Sequence, residues 1–103
     1  MDSKITLVMA YVSEDSLGLI KSFVTLDEVD LDSSTMTWYC YLELNTEEKY
    51  LSSCEFLRQH PSIANDSWLA VAKNSELSEK SRKMFEDLDV KIKKVQSSDE
   101  SKI

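Results

Sequence analysis

Glycine is almost missing: the 103 residues include one glycine and one proline. Loops that cradle phosphate need several glycines, because backbone N–H groups must approach the anion with no Cβ in the way. Gly18, flanked by Ser16, Leu17, Leu19 and Ile20, cannot build such a loop alone. Rossmann, Walker and kinase-type nucleotide loops are therefore set aside. Metal ligands are equally scarce. A structural zinc site takes four Cys or His ligands, and the chain offers Cys40, Cys54 and His60 without a CxxC or HxxxH spacing. The alternation from Glu28 to Asp32 has the form of a calcium loop's first half. Ser33, however, stands where that loop needs glycine, and Tyr39 where it needs a bidentate glutamate. No metal and no cofactor are expected.

Two cysteines do not make the disulfide framework of a small secreted domain. The apolar stretch near the N-terminus is broken at once by Ser13, Glu14, Asp15 and Ser16. It is too short to span a bilayer and lacks a small-residue cleavage site. The expected setting is cytoplasmic and reducing.

What is present is a regular alternation of apolar patterns. Residues 4–12 are apolar on both sides, with Ile5, Leu7, Met9 and Tyr11 opposite Val8, Ala10 and Val12, the pattern of a central strand covered on both faces. Ser13 caps a short helix through Leu17, Ile20 and Val24, with a strand through Leu17, Leu19, Lys21 and Phe23 left open. Residues 27–35 read as a loop or exposed edge. Met36 to Leu44 is the clearest strand, with Met36, Trp38, Cys40, Leu42 and Leu44 on one face and Thr37, Tyr39, Tyr41 and Glu43 on the other. Asn45 or Thr46 caps a helix that Pro61 stops near His60. Trp68 to Lys73 reads as a second strand buried on both sides. Asn74 or Ser75 then caps a helix over 76–88, and Val90 to Val95 forms an edge strand guarded by Lys91 and Lys93.

Strands alternating with helices predict one layered α/β domain over residues 1–95. The expectation is a four- or five-stranded mixed sheet, about three packed helices and a C-terminal βαβ unit. The polar residues 96–103 are expected to be a disordered tail.

Charge makes the sequence more specific. The formal net charge is −7. Residues 1–48 hold ten acids against two lysines, whereas residues 49–103 hold ten basic and nine acidic groups. This layout argues against nucleic acid as a direct ligand, since phosphate demands a cationic footprint. An anionic membrane surface would be repelled for the same reason. A concentrated carboxylate pole instead attracts a basic protein and speeds its docking. The candidate partner-binding residues are Asp27, Glu28, Asp30, Asp32 and Glu43, with Tyr39 and Tyr41 as aromatic anchors. Carboxylates along a strand also suit phosphate mimicry. The plainer alternative is that the acids only keep the protein soluble, while Tyr39 and Tyr41 cover a helix.

Catalytic equipment is thin. Cys54 and His60 lie six positions apart, so on one helix they point to different sides. Cys54 and Cys40 share faces with apolar residues, where cysteine acts as a small hydrophobe. His60 ahead of Pro61 suits a helix C-terminus, where a protonated imidazole favours the dipole. Glu43 is the acid nearest aromatic surface. The expected function is a non-catalytic domain that binds a basic protein, as an inhibitor, immunity-type neutraliser or small subunit of a complex. The alternative is a small enzyme or ligand carrier using Cys54 or Glu43 in a pocket beside the sheet. Oligomeric state is left open.

Overall fold

The computed structural model describes residues 4–95 of the chain. Strand β1 (Ile5–Val12) leads to helix α1 (Glu14–Phe23), then to strands β2 (Glu28–Asp32) and β3 (Thr37–Glu43). Helices α2 (Glu47–Gln59) and α3 (Pro61–Asn65) precede strand β4 (Ser67–Ala72), and α4 (Glu79–Glu86) precedes β5 (Lys91–Val95). The five strands form one sheet in the order β2, β3, β1, β4, β5. β3 is antiparallel to β2 and β1, β4 is antiparallel to β1, and β5 is parallel to β4. The first four strands with α1 and α2 make the split βαβ arrangement also called ferredoxin-like, and α4 with β5 is a βαβ addition beside β4. Many unrelated functions share that topology, so it carries no functional argument.

Helix boundaries follow from hydroxyl caps. Ser13 Oγ accepts from Ser16 N–H (3.2 Å), Thr46 Oγ1 from Lys49 N–H (3.2 Å) and Ser78 Oγ from Ser81 N–H (3.1 Å). Each satisfies a donor that the first turn leaves unpaired. The open choice at Leu17–Val24 is thus settled as helix, with Glu14 and Asp15 in its favourable first turn. The last helix starts later than the expected cap at Asn74 or Ser75. Ser75 is buried instead and accepts from Lys4 N–H (2.6 Å), so it ties the start of β1 to the loop after β4. Leu77 must also reach the core before the chain can coil. Pro61 ends α2 and at the same time opens α3 at its first turn, where a missing N–H costs nothing.

One face of the sheet carries every helix. Leu7, Met9, Cys40, Leu42, Leu69 and Val71 pack with Leu17 and Ile20 of α1, Cys54 and Leu57 of α2, Ala64 of α3 and Phe85 of α4 in one continuous core. Phe85 and Ile20 are fully buried. Rings link the helices, Phe23 to Phe56 at 5.4 Å and Tyr50 to Phe85 at 6.2 Å. Among the described residues, no helix covers the opposite face. β1 is nonetheless buried on both faces, as its apolar pattern predicts, whereas the reading of Trp68–Lys73 as a strand buried on both sides is corrected. Val8 and Ala10 are buried on the far face by side chains of neighbouring strands, and Trp68 and Ala70 there are only half-buried. For the same reason Tyr39 and Tyr41 cover no helix.

A bulge reorders the end of β1. Met9 pairs with Cys40 and Val12 with Trp38, so three steps on β1 match two on β3. The extra residue turns through Tyr11, whose φ is 57°. Val12 thereby enters the core and Tyr11 leaves it, the reverse of the strict alternation read from residues 4–12. Tyr11, Met36 and Asp89 all adopt left-handed backbone, the conformation that favours glycine. The one glycine, Gly18, sits in mid-helix, where a Cβ would meet nothing within 4 Å.

The acidic stretch 27–35 becomes edge strand β2 and a tight turn. Asp32 Oδ1 accepts from Ser34 N–H (3.1 Å) and Ser34 Oγ–H (2.7 Å), which folds the chain back toward β3. The polar tail 96–103, expected to be disordered, lies outside the described residues. Among the described residues, no helix is long and apolar enough to cross a membrane.

Candidate functional site

The uncovered face is built by strand parity. On β2 the residues facing it are Glu28, Asp30 and Asp32; on β3 they are Thr37, Tyr39, Tyr41 and Glu43. Antiparallel register sets Glu28 beside Tyr41, Asp30 beside Tyr39 and Asp32 beside Thr37. Directly opposed side chains sit with Cβ atoms about 4.5–5.5 Å apart, so Glu28 and Asp30 each neighbour a tyrosine across the strands while Asp32 neighbours Thr37. Further along the face, Tyr41 is opposite Val8, Val8 opposite Trp68, and Trp68 opposite Lys91. Lys93 Nζ lies 4.4 Å from the centre of the Trp68 ring, a cation–π contact.

Tyr11, delivered by the bulge, packs its ring against Tyr39 with centroids 5.6 Å apart. The hydrogen bond between their hydroxyls is the main reason the Tyr39 phenol is pushed up to about 12, with burial and the charges of Tyr11, Asp32 and Tyr41 adding. Tyr41 is raised by burial first and then by Asp30 and Glu28. Asp32 is lowered, chiefly because the Ser34 hydroxyl donates to it. At neutral pH the Tyr39 and Tyr41 phenols therefore stay neutral, while Asp32 at the turn stays ionised.

The sequence-derived candidates divide. Glu28, Asp30, Asp32, Tyr39 and Tyr41 come together on one surface. Asp27 does not join them. Its Oδ2 accepts from Glu43 N–H (2.6 Å) and its own N–H donates to Tyr41 O (2.9 Å), so it fastens β2 to β3. Glu43 belongs to the face by register with Thr6, and it also borders a groove of about 740 Å³ at the end of the sheet. Tyr50, Leu51, Glu76, Lys80 and Met84 complete much of that groove, and Cys54 is not part of it.

Both cysteines are free and buried. Burial pushes each thiol up to about 11, against small opposing effects of Lys21 on Cys40 and Arg58 on Cys54. A thiol this high is almost wholly protonated at neutral pH and is a poor nucleophile. His60 ends α2 through its backbone N–H, which donates to Leu57 O, while its ring stacks on Phe56 at 4.3 Å. The imidazole makes no side-chain cap bond to the following helix. Among the described residues, no group of three His, Cys, Asp or Glu side chains is arranged to hold a metal ion.

Tyr11, Trp68, Lys91 and Lys93 belong to this face and were not among the sequence-derived candidates. For Trp68 and the lysines a usable signal existed: β4 and β5 alternate, and Trp68 on β4 and Lys91 and Lys93 on β5 fall on the positions that face away from the helices. Tyr11 had no such signal, because the bulge breaks the alternation that placed it. No family model, curated protein or solved structure matches the chain.

Proposed function

We propose that this domain is a non-catalytic protein-binding module whose acidic first half docks on a basic protein surface. The register of β2 on β3 supports this most directly, because it sets Glu28 and Asp30 beside Tyr41 and Tyr39 on the uncovered face. Carboxylates on an edge strand attract a cationic surface and speed encounter. Half-buried tyrosines next to them offer area at low entropy cost, and such anchors carry most of the energy at interfaces. Neither element suffices alone: exposed charges are worth little when solvated, and rings without charge give no steering. The role this chemistry suits is a cytoplasmic inhibitor, an immunity-type neutraliser or a small subunit of an assembly.

The test compares baits. Native protein and an Asp30→Lys/Asp32→Lys variant are used to capture partners from extract at low and at physiological ionic strength. The expected result is a basic protein retained by the native bait, weakened by salt and lost with the variant. Identical capture by both baits would refute the assignment of these acids. The groove bordered by Glu43 supports a second reading, a small enzyme or ligand carrier acting through Glu43. Ligand-induced NMR shifts confined to Glu43, Tyr50 and Met84, with none at Tyr39 and Tyr41, would favour it.

A further inference from the structure

The uncovered face has an electrical axis that runs across its strands. One registered row crosses the whole sheet: Glu28, Tyr41, Val8, Trp68 and Lys91. From one edge it reads anion, aromatic, aliphatic, aromatic, cation. From the other edge it reads the same with the charges exchanged. A surface of that kind is complementary to itself when turned over.

We propose that two copies of this chain pair through this face, about a two-fold axis lying along β1 near Val8. Rotation about the strand direction reverses strand order, so β2 of one copy lies over β5 of the other and β3 over β4. Glu28 then meets Lys91 of the second copy, with Lys93 one residue pair away, and Tyr41 covers the second copy's Trp68. Every such contact occurs twice, as an isologous interface requires. The other two-fold axis in the plane, running across the strands, lays β2 on β2 and β5 on β5. It stacks acid on acid and lysine on lysine, which costs rather than gains. Charge thus selects one of the two pairings.

Geometry supports contact of useful size. The lysine edge is held on the face, since Lys93 already rests over the Trp68 ring. Five strands at about 4.8 Å and some six residues at about 3.3 Å give a patch of roughly 24 by 20 Å, so the pair buries on the order of 1,000 Å². That area sits at the lower limit for a specific interface, so the dimer is weak and concentration-dependent. The inference does not rest on the existence of a basic partner; it uses the chain alone. Where such a partner binds the same acids, the two associations exclude one another.

Sedimentation velocity of the full chain over a wide concentration range at low ionic strength is the experiment. The expected result is a monomer–dimer equilibrium that weakens as salt rises. Glu28→Lys/Asp30→Lys and Lys91→Glu/Lys93→Glu should each weaken self-association about tenfold or more, because each gives the two ends of the Glu28–Lys91 row the same sign. Mixing the two variants should restore a heterodimer, since positive edges then face negative ones. A native chain that stays monomeric at all concentrations overturns the proposal, as does a mixture that stays monomeric. If a variant fails to melt cooperatively, the native chain's salt response decides, and a dimer indifferent to salt counts against it.

Discussion

Replacing Tyr11 by glycine and by alanine isolates the strain at the bulge. Tyr11 is 56% exposed and its φ is 57°, a backbone that costs an L side chain on the order of 1–2 kcal/mol. Both substitutions remove the ring and its contact with Tyr39 equally, so their difference reports the backbone. Glycine relieves that strain but adds unfolded-state entropy, a loss of about 0.5–1 kcal/mol. The balance leaves Tyr11→Gly more stable than Tyr11→Ala by about 0.5–1 kcal/mol, the reverse of the order at an ordinary strand position. For a domain of this size that corresponds to roughly 3–6 °C in melting temperature. Circular-dichroism melts of the two variants at matched concentration read it directly. An alanine variant that melts at or above the glycine variant would refute the claim that Tyr11 is held under strain.

Three other outcomes follow from the same structure. The Tyr39 phenol is raised, so the stability it contributes is fully present below the ordinary tyrosine value near 10 and is lost as pH rises toward about 12. Ultraviolet titration should show late-ionising tyrosines with Tyr39 the last of them, and Tyr11→Phe should bring that last step back toward 10; an unchanged last step would show that Tyr11 is not the cause. Cys40 and Cys54 should resist an aromatic disulfide reagent at pH 8 in the native protein and react in urea, because burial holds both thiols near 11. Rapid native labelling of Cys54 would place it at an accessible site after all. Gly18→Ala should stabilise the domain by about 0.5–1 kcal/mol, since the position is helical and an added Cβ meets open space. A lower denaturation midpoint would mean that Gly18 serves a purpose its surroundings do not reveal.

Much of the architecture was legible from local pattern. The alternation at 36–44 gives β3, and Ser13 and Thr46 cap the helices where expected, because periodicity and capping depend on neighbours a few residues away. Even Ser78 followed that rule, one serine later than Ser75. The acids and tyrosines of the candidate face could be named for a related reason: Tyr39 and Tyr41 had to lie opposite Trp38 and Cys40 in any strand.

Which side of the sheet the helices cover could not be read, since every apolar strand face is an equal candidate until the chain collapses. β1 is buried on both faces without a second layer of helices, since Val8 lies between Tyr41 and Trp68 of the flanking strands, whereas Trp68 on β4 is left half-exposed. The bulge at Tyr11 escaped as well, because a register shift depends on the partner strand. Charge shows the division most plainly. The excess of acid in residues 1–48 was visible as a count, but its conversion into an axis from Glu28 to Lys91 needed β2 and β5 to become opposite edges of one sheet. Strand order is set by contacts between residues distant along the chain, and no local pattern encodes them.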